Sequence, residues 1–203
     1  MSSHNFFFIH NYKVLGTTIY SQLPESYNKL LYGHRTLNDI MEKNPGVQLN
    51  KINSFNENDK ISIDHIHIDV IISLGLIKIP LNEITFMMIM RDPIERFISI
   101  CNFHAKIKGE TMENHISKLK NKIGDDYYQH KFIKNKNNIK VKLFKMNDKL
   151  GIIHFFEEFG ININLNIKKN VSIKKYNISD ISDEDLIFLK NFYKKDYELY
   201  NSI

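Results

Sequence analysis

Two stretches carry residue types at the spacing that anion chemistry needs. The first, FFFIHNYKVLGTTIY at residues 6–20, passes from an apolar run to a lone lysine, Lys13, and then to Gly16, Thr17 and Thr18. The second, EITFMMIMRDPIERFIS at 83–99, passes from an apolar run to Arg91 and reaches Ser99 two turns along what reads as a helix. In each, the cation falls at the C-terminal end of a strand and just before a helix. Ligands of open α/β sheets bind at that edge, and a helix N-terminus adds backbone N–H donors and a partial positive charge. Lys13, Gly16, Thr17 and Thr18 therefore read as one phosphate-type cradle: a charge, a close backbone approach and two hydroxyl donors. Arg91 with Ser99 reads as a second. A further candidate is IDHIHID at 63–69, where His65 and His67 share a face if the segment is extended.

The elements that position these residues follow from periodicity. Residues 6–10 are a continuous apolar run, the pattern of a strand buried on both faces. A helix begins around Gly16–Thr18 and stops near Pro24. Residues 24–60 are polar and read as loop, with one helix around 36–43. Residues 66–76 begin extended and become a helix ending at Gly75. The clearest buried strand is 83–90. The helix over 91–107 has Asp92 as N-cap, Pro93 at N1 and Glu95 at N3, the sequence of a capping box. Its apolar stripe is Ile94, Phe97, Ile98 and Cys101. A strand is expected at 139–146, then a helix closing on Gly160. One C-terminal helix starts at Ser182 and runs Leu186, Leu189, Tyr193, Tyr197 and Tyr200 down a core-facing side. Strands alternate with helices, so the class is α/β with a parallel sheet. Residues 1–203 read as a single domain without internal repeats.

Composition bounds the function classes. The chain has 203 residues, of which 42% are apolar and 12% aromatic, enough for a sizeable core and against global disorder. The net charge of +5 admits nucleic acid, an anionic sugar or a nucleotide and does not choose among them. A general bias to Asn, Ile and Lys discounts it further. Cys101 is the single cysteine, so no internal disulfide and no cysteine zinc cluster can form. Neither a signal-peptide pattern nor an apolar run of the roughly 18–20 residues that span a bilayer is visible. The expectation is a soluble, cytoplasmic protein without a membrane span.

The two cradles lack the Walker order and the Gly-x-Gly-x-x-Gly fingerprint. Together they resemble the sulfotransferases that use 3′-phosphoadenosine 5′-phosphosulfate (PAPS), in particular the carbohydrate, heparan 2-O-sulfotransferase-like branch. That branch has a strand followed by Pro-Lys-Thr-Gly/Ala-Gly-Thr-Ser for the 5′-phosphosulfate, and NYKVLGTT fills the slot. Its Arg-Asp-Pro-x-x-Arg-Phe-x-Ser segment for the 3′-phosphate is matched by RDPIERFIS at every specified position. KKNVSIKK followed by a helix closing on DYELY resembles the family's Asn-x-Ser/Thr loop and last helix. The resemblance implies a P-loop-like three-layer fold with a central parallel sheet flanked by helices. It implies PAPS as sulfuryl donor, adenosine 3′,5′-bisphosphate as product, a hydroxyl acceptor on a glycan, and no metal. It assigns Lys13, Gly16, Thr17 and Thr18 to the 5′ end, Arg91 and Ser99 to the 3′-phosphate, and Ser172 and Lys174 to a loop closing over the donor. His65 falls in the slot of the catalytic base, with His67 as the other candidate, and Lys13 would also neutralise the departing phosphate.

Ordinary readings stand beside these. Arg96 reads as a surface ion-pair residue, with approach to the 3′-phosphate as the alternative, and Asp92 and Glu95 read as structural caps. His65 and His67 lack a third ligand at metal spacing, Asp69 being the nearest acid. The lysines over 118–149 read as a solvated face and not as a nucleic-acid stripe. Tyr12, Val14 and Leu15 stand where the family has proline, a hydroxyl and a small residue, and Asp64 where it has glycine. A second reading therefore stays open, a non-transferring module of the same fold that binds a nucleotide or anionic glycan.

Overall fold

The computed structural model describes residues 5–24, 34–36, 60–62, 67–73, 75, 77, 79–121, 128–134, 138–167 and 174–203. In chain order the elements are β1 (Asn5–Ile9), α1 (Gly16–Tyr20), β2 (His34–Thr36), β3 (Lys60–Ser62), α2 (Ile68–Ser73), β4 (Ile84–Met90) and α3 (Pro93–Lys108). There follow α4 (Met112–Lys120), α5 (His130–Ile133), β5 (Val141–Lys145), α6 (Lys149–Glu157), α7 (Asp183–Phe192) and α8 (Lys194–Asn201).

β1, β4 and β5 form a parallel sheet with β4 in the middle, Phe7 opposite Phe86 and Met88 opposite Leu143. The continuous apolar run of β4 is explained by what covers it. On one face Phe7, Ile9, Phe86, Met88 and Met90 pack with Ile68 and Ile71 of α2 and Phe132 of α5. On the other, Phe6, Phe8, Met87 and Ile89 pack with Ile19 of α1 and Ile152, Phe155 and Phe156 of α6. Helices thus lie against both faces, an α/β arrangement compatible with three layers. A third cluster joins Ile94, Phe97 and Cys101 of α3 to Met112, Ile116 and Leu119 of α4 and to Leu189 and Tyr193. Among the described residues no helix is long and apolar enough to cross a membrane.

Two expectations about elements need correction. Thr36 belongs to a short antiparallel pair, β2 with β3, rather than to a helix; residues 37–43 lie outside the described residues. The C-terminal helix is two helices. Tyr193, at φ −90° and ψ 16°, closes α7 and opens α8. The break re-aims the chain so that Asp196 is fully buried, where it accepts the backbone N–H groups of Gln129 and His130, both at 2.8 Å. A buried carboxylate needs such donors. Downstream of the break Tyr197 and Tyr200 are only half-buried.

Candidate functional site

The β4–α3 junction is built by local sequence. Asp92 accepts from the N–H groups of Ile94 and Glu95 at 2.9 and 3.0 Å, and Pro93 supplies the helical φ at the first position. Gly109, at φ 66°, ends α3 in the left-handed conformation. The expected capping box is not completed, because the Glu95 side chain turns to Arg91 instead of to the Asp92 N–H. The Glu95 carboxylate lies 3.4 Å from Nε of Arg91, an i, i+4 pair on the rim of the site.

The β1–α1 junction is built differently. α1 has five residues, Leu15 at its N-cap is left-handed (φ 48°) and no side chain caps it. Lys13 is left-handed too, at φ 61°. Each non-glycine residue in that region costs on the order of 1 kcal/mol, and such strain persists only where surrounding contacts over-determine it. Those contacts are visible. Val14 is buried in the sheet core and Leu15 packs on the same cluster. Asn11, fully buried, donates from Nδ2 to Oε1 of Gln129 at 2.8 Å. Arg96 donates from Nε to the Tyr12 carbonyl at 2.8 Å. Arg96 is therefore no surface ion-pair residue: it is 1% exposed and pins the loop that carries Lys13.

Gln129 joins the two junctions. Its Oε1 accepts from Asn11 and from the Arg91 backbone N–H at 3.0 Å, while its Nε2 donates to the Arg91 carbonyl at 2.8 Å. One buried amide thus bonds both backbone groups of Arg91 and the residue two before Lys13. Asp196 holds Gln129 in turn by accepting its backbone N–H.

The result is that the cations converge. The Lys13 ammonium lies over the Phe103 ring, 4.3 Å from its centroid. Burial first, then the charges of Arg91 and Lys106, push its pKa down to about 8. Among the described residues no carboxylate pairs with it. Arg96, Ser99, Phe103 and Lys106 follow one another along α3 at intervals of three, four and three, one helix face. Since Arg96 and Phe103 of that face contact Tyr12 and Lys13, Ser99 sits on the side of α3 turned to the Lys13 loop, half-buried.

Other expected site residues fare differently. Thr17 is half-buried at the start of α1. Thr18 is 4% exposed and donates its hydroxyl proton to the Ile167 carbonyl at 3.1 Å, so it stitches α1 to the 161–167 segment rather than offering a donor at the cradle. Gln22 reinforces that seam through Asn164. Gly16 has a reason that the sequence did not disclose. A Cβ built there would lie 1.6 Å from Nε2 of His10, so the glycine makes room for an imidazole, itself flanked by Phe8 and Tyr20. Lys174 is exposed. His67 precedes α2 with its ring edge-on to Phe132. His65 and Ser172 lie outside the described residues. The residues that reasoning from sequence missed are His10, Asn11, Arg96 and Gln129. Only Arg96 carried a signal, its place in the RDPIERFIS match and its i, i+3 and i, i+7 spacing to Ser99 and Phe103.

Comparison with protein-family models, with curated proteins and with solved structures finds no match to this chain.

Proposed function

We propose that the chain binds PAPS between the β1–α1 and β4–α3 junctions and moves its sulfuryl group to a hydroxyl acceptor, a carbohydrate in the branch it resembles. One observation carries the reading. A half-buried ammonium, Lys13, sits in the field of Arg91 and Lys106 with its backbone strained to hold it there. Gathering like charges in a partly desolvated place is unfavourable unless an anion is to be bound. A nucleotide with phosphate groups at both ends suits two such cations, and remote binding at the 3′ end would position the 5′ end for reaction.

In this reading Arg91 and Ser99 hold the 3′-phosphate and Lys13 meets the 5′ end. The donor supplies the activated sulfuryl group; the S–O bond to the 5′-phosphate breaks as one to the acceptor oxygen forms. Lys13 balances the charge left on the phosphate. The resemblance gives the acceptor proton to His65, and gives Ser172 and Lys174 the task of covering the donor.

Titration calorimetry with adenosine 3′,5′-bisphosphate tests the site. The expected result is one molecule bound per chain, weakened at least tenfold by Lys13→Ala and by Arg91→Ala separately. Binding unaffected by either substitution would remove the proposal.

A second reading has its own support. Thr18 is committed to Ile167, and His10 packs on Gly16, so two of the four cradle groups already have partners. A module that binds the nucleotide without transferring the group would show the same calorimetry, no sulfated product, and no consequence of His65→Ala.

A further inference from the structure

We propose that His104, Glu110 and His115 form a binding site for one zinc-class divalent ion at the turn between α3 and α4. The argument is independent of the nucleotide reading. His104 lies in the last turns of α3, and the left-handed Gly109 ends that helix and turns the chain at Glu110. Thr111 then caps α4 by accepting from the Asn114 N–H, which brings His115 round in the second turn. Three residues from three consecutive pieces of chain are thereby focused on one point.

The geometry is close to that of a coordination sphere. One ligand atom from each residue lies within 4.8 Å of the other two. His115 Nε2 is 3.3 Å and His104 Nδ1 is 3.9 Å from Oε2 of Glu110. The imidazole centroids are 4.9 Å apart with planes inclined by 31°, so the two rings lie side by side at the turn. Ligands bound tetrahedrally at about 2.0–2.2 Å sit roughly 3.3–3.6 Å from one another, so the longest gap closes with about 1 Å of side-chain movement. Two imidazoles and one carboxylate suit zinc and its neighbours rather than calcium or magnesium, which take oxygen ligands. His115 is fully buried while the Glu110 side chain is 23% exposed, leaving one wall fixed and one open for entry and a fourth ligand.

A cation already occupies part of this place. The Lys118 ammonium lies 2.9 Å from the same Glu110 oxygen, and with its side chain 42% exposed it can swing into solvent. It is the competitor that an incoming ion displaces. The site would join α3 to α4 one residue beyond Phe103, whose ring carries Lys13.

The test uses the full chain, freed of metal by a chelator and titrated with ZnCl2 by calorimetry and with CoCl2 by visible absorption. The expected result is one ion per chain, cobalt bands of four-coordinate intensity, and a melting temperature raised by roughly 5–10 °C at a hundredfold excess over the Kd. His104→Asn and Glu110→Gln should each weaken zinc at least tenfold, whereas Lys118→Ala, which removes the competitor, should tighten it. His115→Ala is a poorer probe, because that side chain is in the core. No saturable uptake of either ion by the unmodified chain, or an affinity indifferent to His104→Asn and Glu110→Gln, overturns the proposal.

Discussion

The two strand-to-helix junctions that flank the candidate site occupy equivalent places on neighbouring parallel strands, yet they are made by opposite means. At β4–α3 the cap, the proline and a sixteen-residue helix are local, and the distant contact to the Arg91 backbone is the Gln129 amide. At β1–α1 the helix is five residues long and uncapped, and Lys13 and Leu15 both have positive φ. That loop is held by distant partners, Gln129 for Asn11, Arg96 for Tyr12 and the sheet core for Val14, together with His10 packed over Gly16 within the junction. Local chemistry builds most of one half of the site, with Gln129 as its tertiary tie, and tertiary packing builds the other. Loss of local capping should therefore cost stability without moving the site, whereas loss of a tertiary contact should move Lys13.

Substitutions can break or sharpen that contrast. The largest effect is expected from Arg96→Ala, which leaves a cavity and a Tyr12 carbonyl without its buried donor. We expect a loss of about 3 kcal/mol or more in denaturant unfolding, with bisphosphate binding lost even where the chain remains folded. Gln129→Leu deletes three hydrogen bonds across both junctions and should lose about 2–3 kcal/mol. It should also let Lys13 drift from Arg91, seen as a Lys13 pKa returning toward its ordinary value. Gly16→Ala should destabilise by about 1–3 kcal/mol through overpacking on His10, and the added substitution His10→Ala should relieve most of that loss, a coupling read from the double-mutant cycle. Asp92→Ala removes the α3 cap and the Asp92 contact to Tyr197, neither of which touches the Lys13 loop. It should lose about 1 kcal/mol and leave the Lys13 pKa where it was, which is the sharpest form of the contrast.

The smallest effect is one of pH. With its pKa near 8 in the folded chain and the ordinary 10.5 once unfolded, Lys13 binds more protons in the unfolded state between those values. Stability attributable to this group should therefore rise with pH across that window and be flat below it. Lys13→Met should abolish that rise and raise the melting temperature slightly at neutral pH. Anion binding should move the other way, weakening as pH passes 8.

Much of this fold could be read from the chain. β1, β4, β5 and the capped α3 follow from apolar runs and a Ser/Thr/Asp-type cap, because those signals are local and close to one another in sequence. Lys13 and Arg91 were also found by their positions at strand ends. What was not legible is what holds them. Gln129 is 118 residues from Asn11 and 38 from Arg91 along the chain, and nothing in a lone glutamine announces a partner at that separation. Arg96 read as a surface charge because an exposed arginine and a buried one whose Nε donates to a backbone carbonyl have the same local spelling. Thr18 read as a ligand donor for the same reason, its actual acceptor lying 149 residues on. The break at Tyr193 was hidden because both its flanks have helical periodicity, while the burial of Tyr193 and Asp196 is a tertiary fact.

The central claim, that Lys13 and Arg91 make one anion site, is tested most directly by the pKa of the Lys13 ammonium. It is measured by NMR on a chain labelled at lysine, with and without adenosine 3′,5′-bisphosphate, and again in Arg91→Ala. The account predicts about 8 in the free chain, an upward shift when Arg91 is removed, and a larger upward shift when the bisphosphate binds. An ordinary lysine value in the free chain, unmoved by the substitution and by the nucleotide, would contradict it.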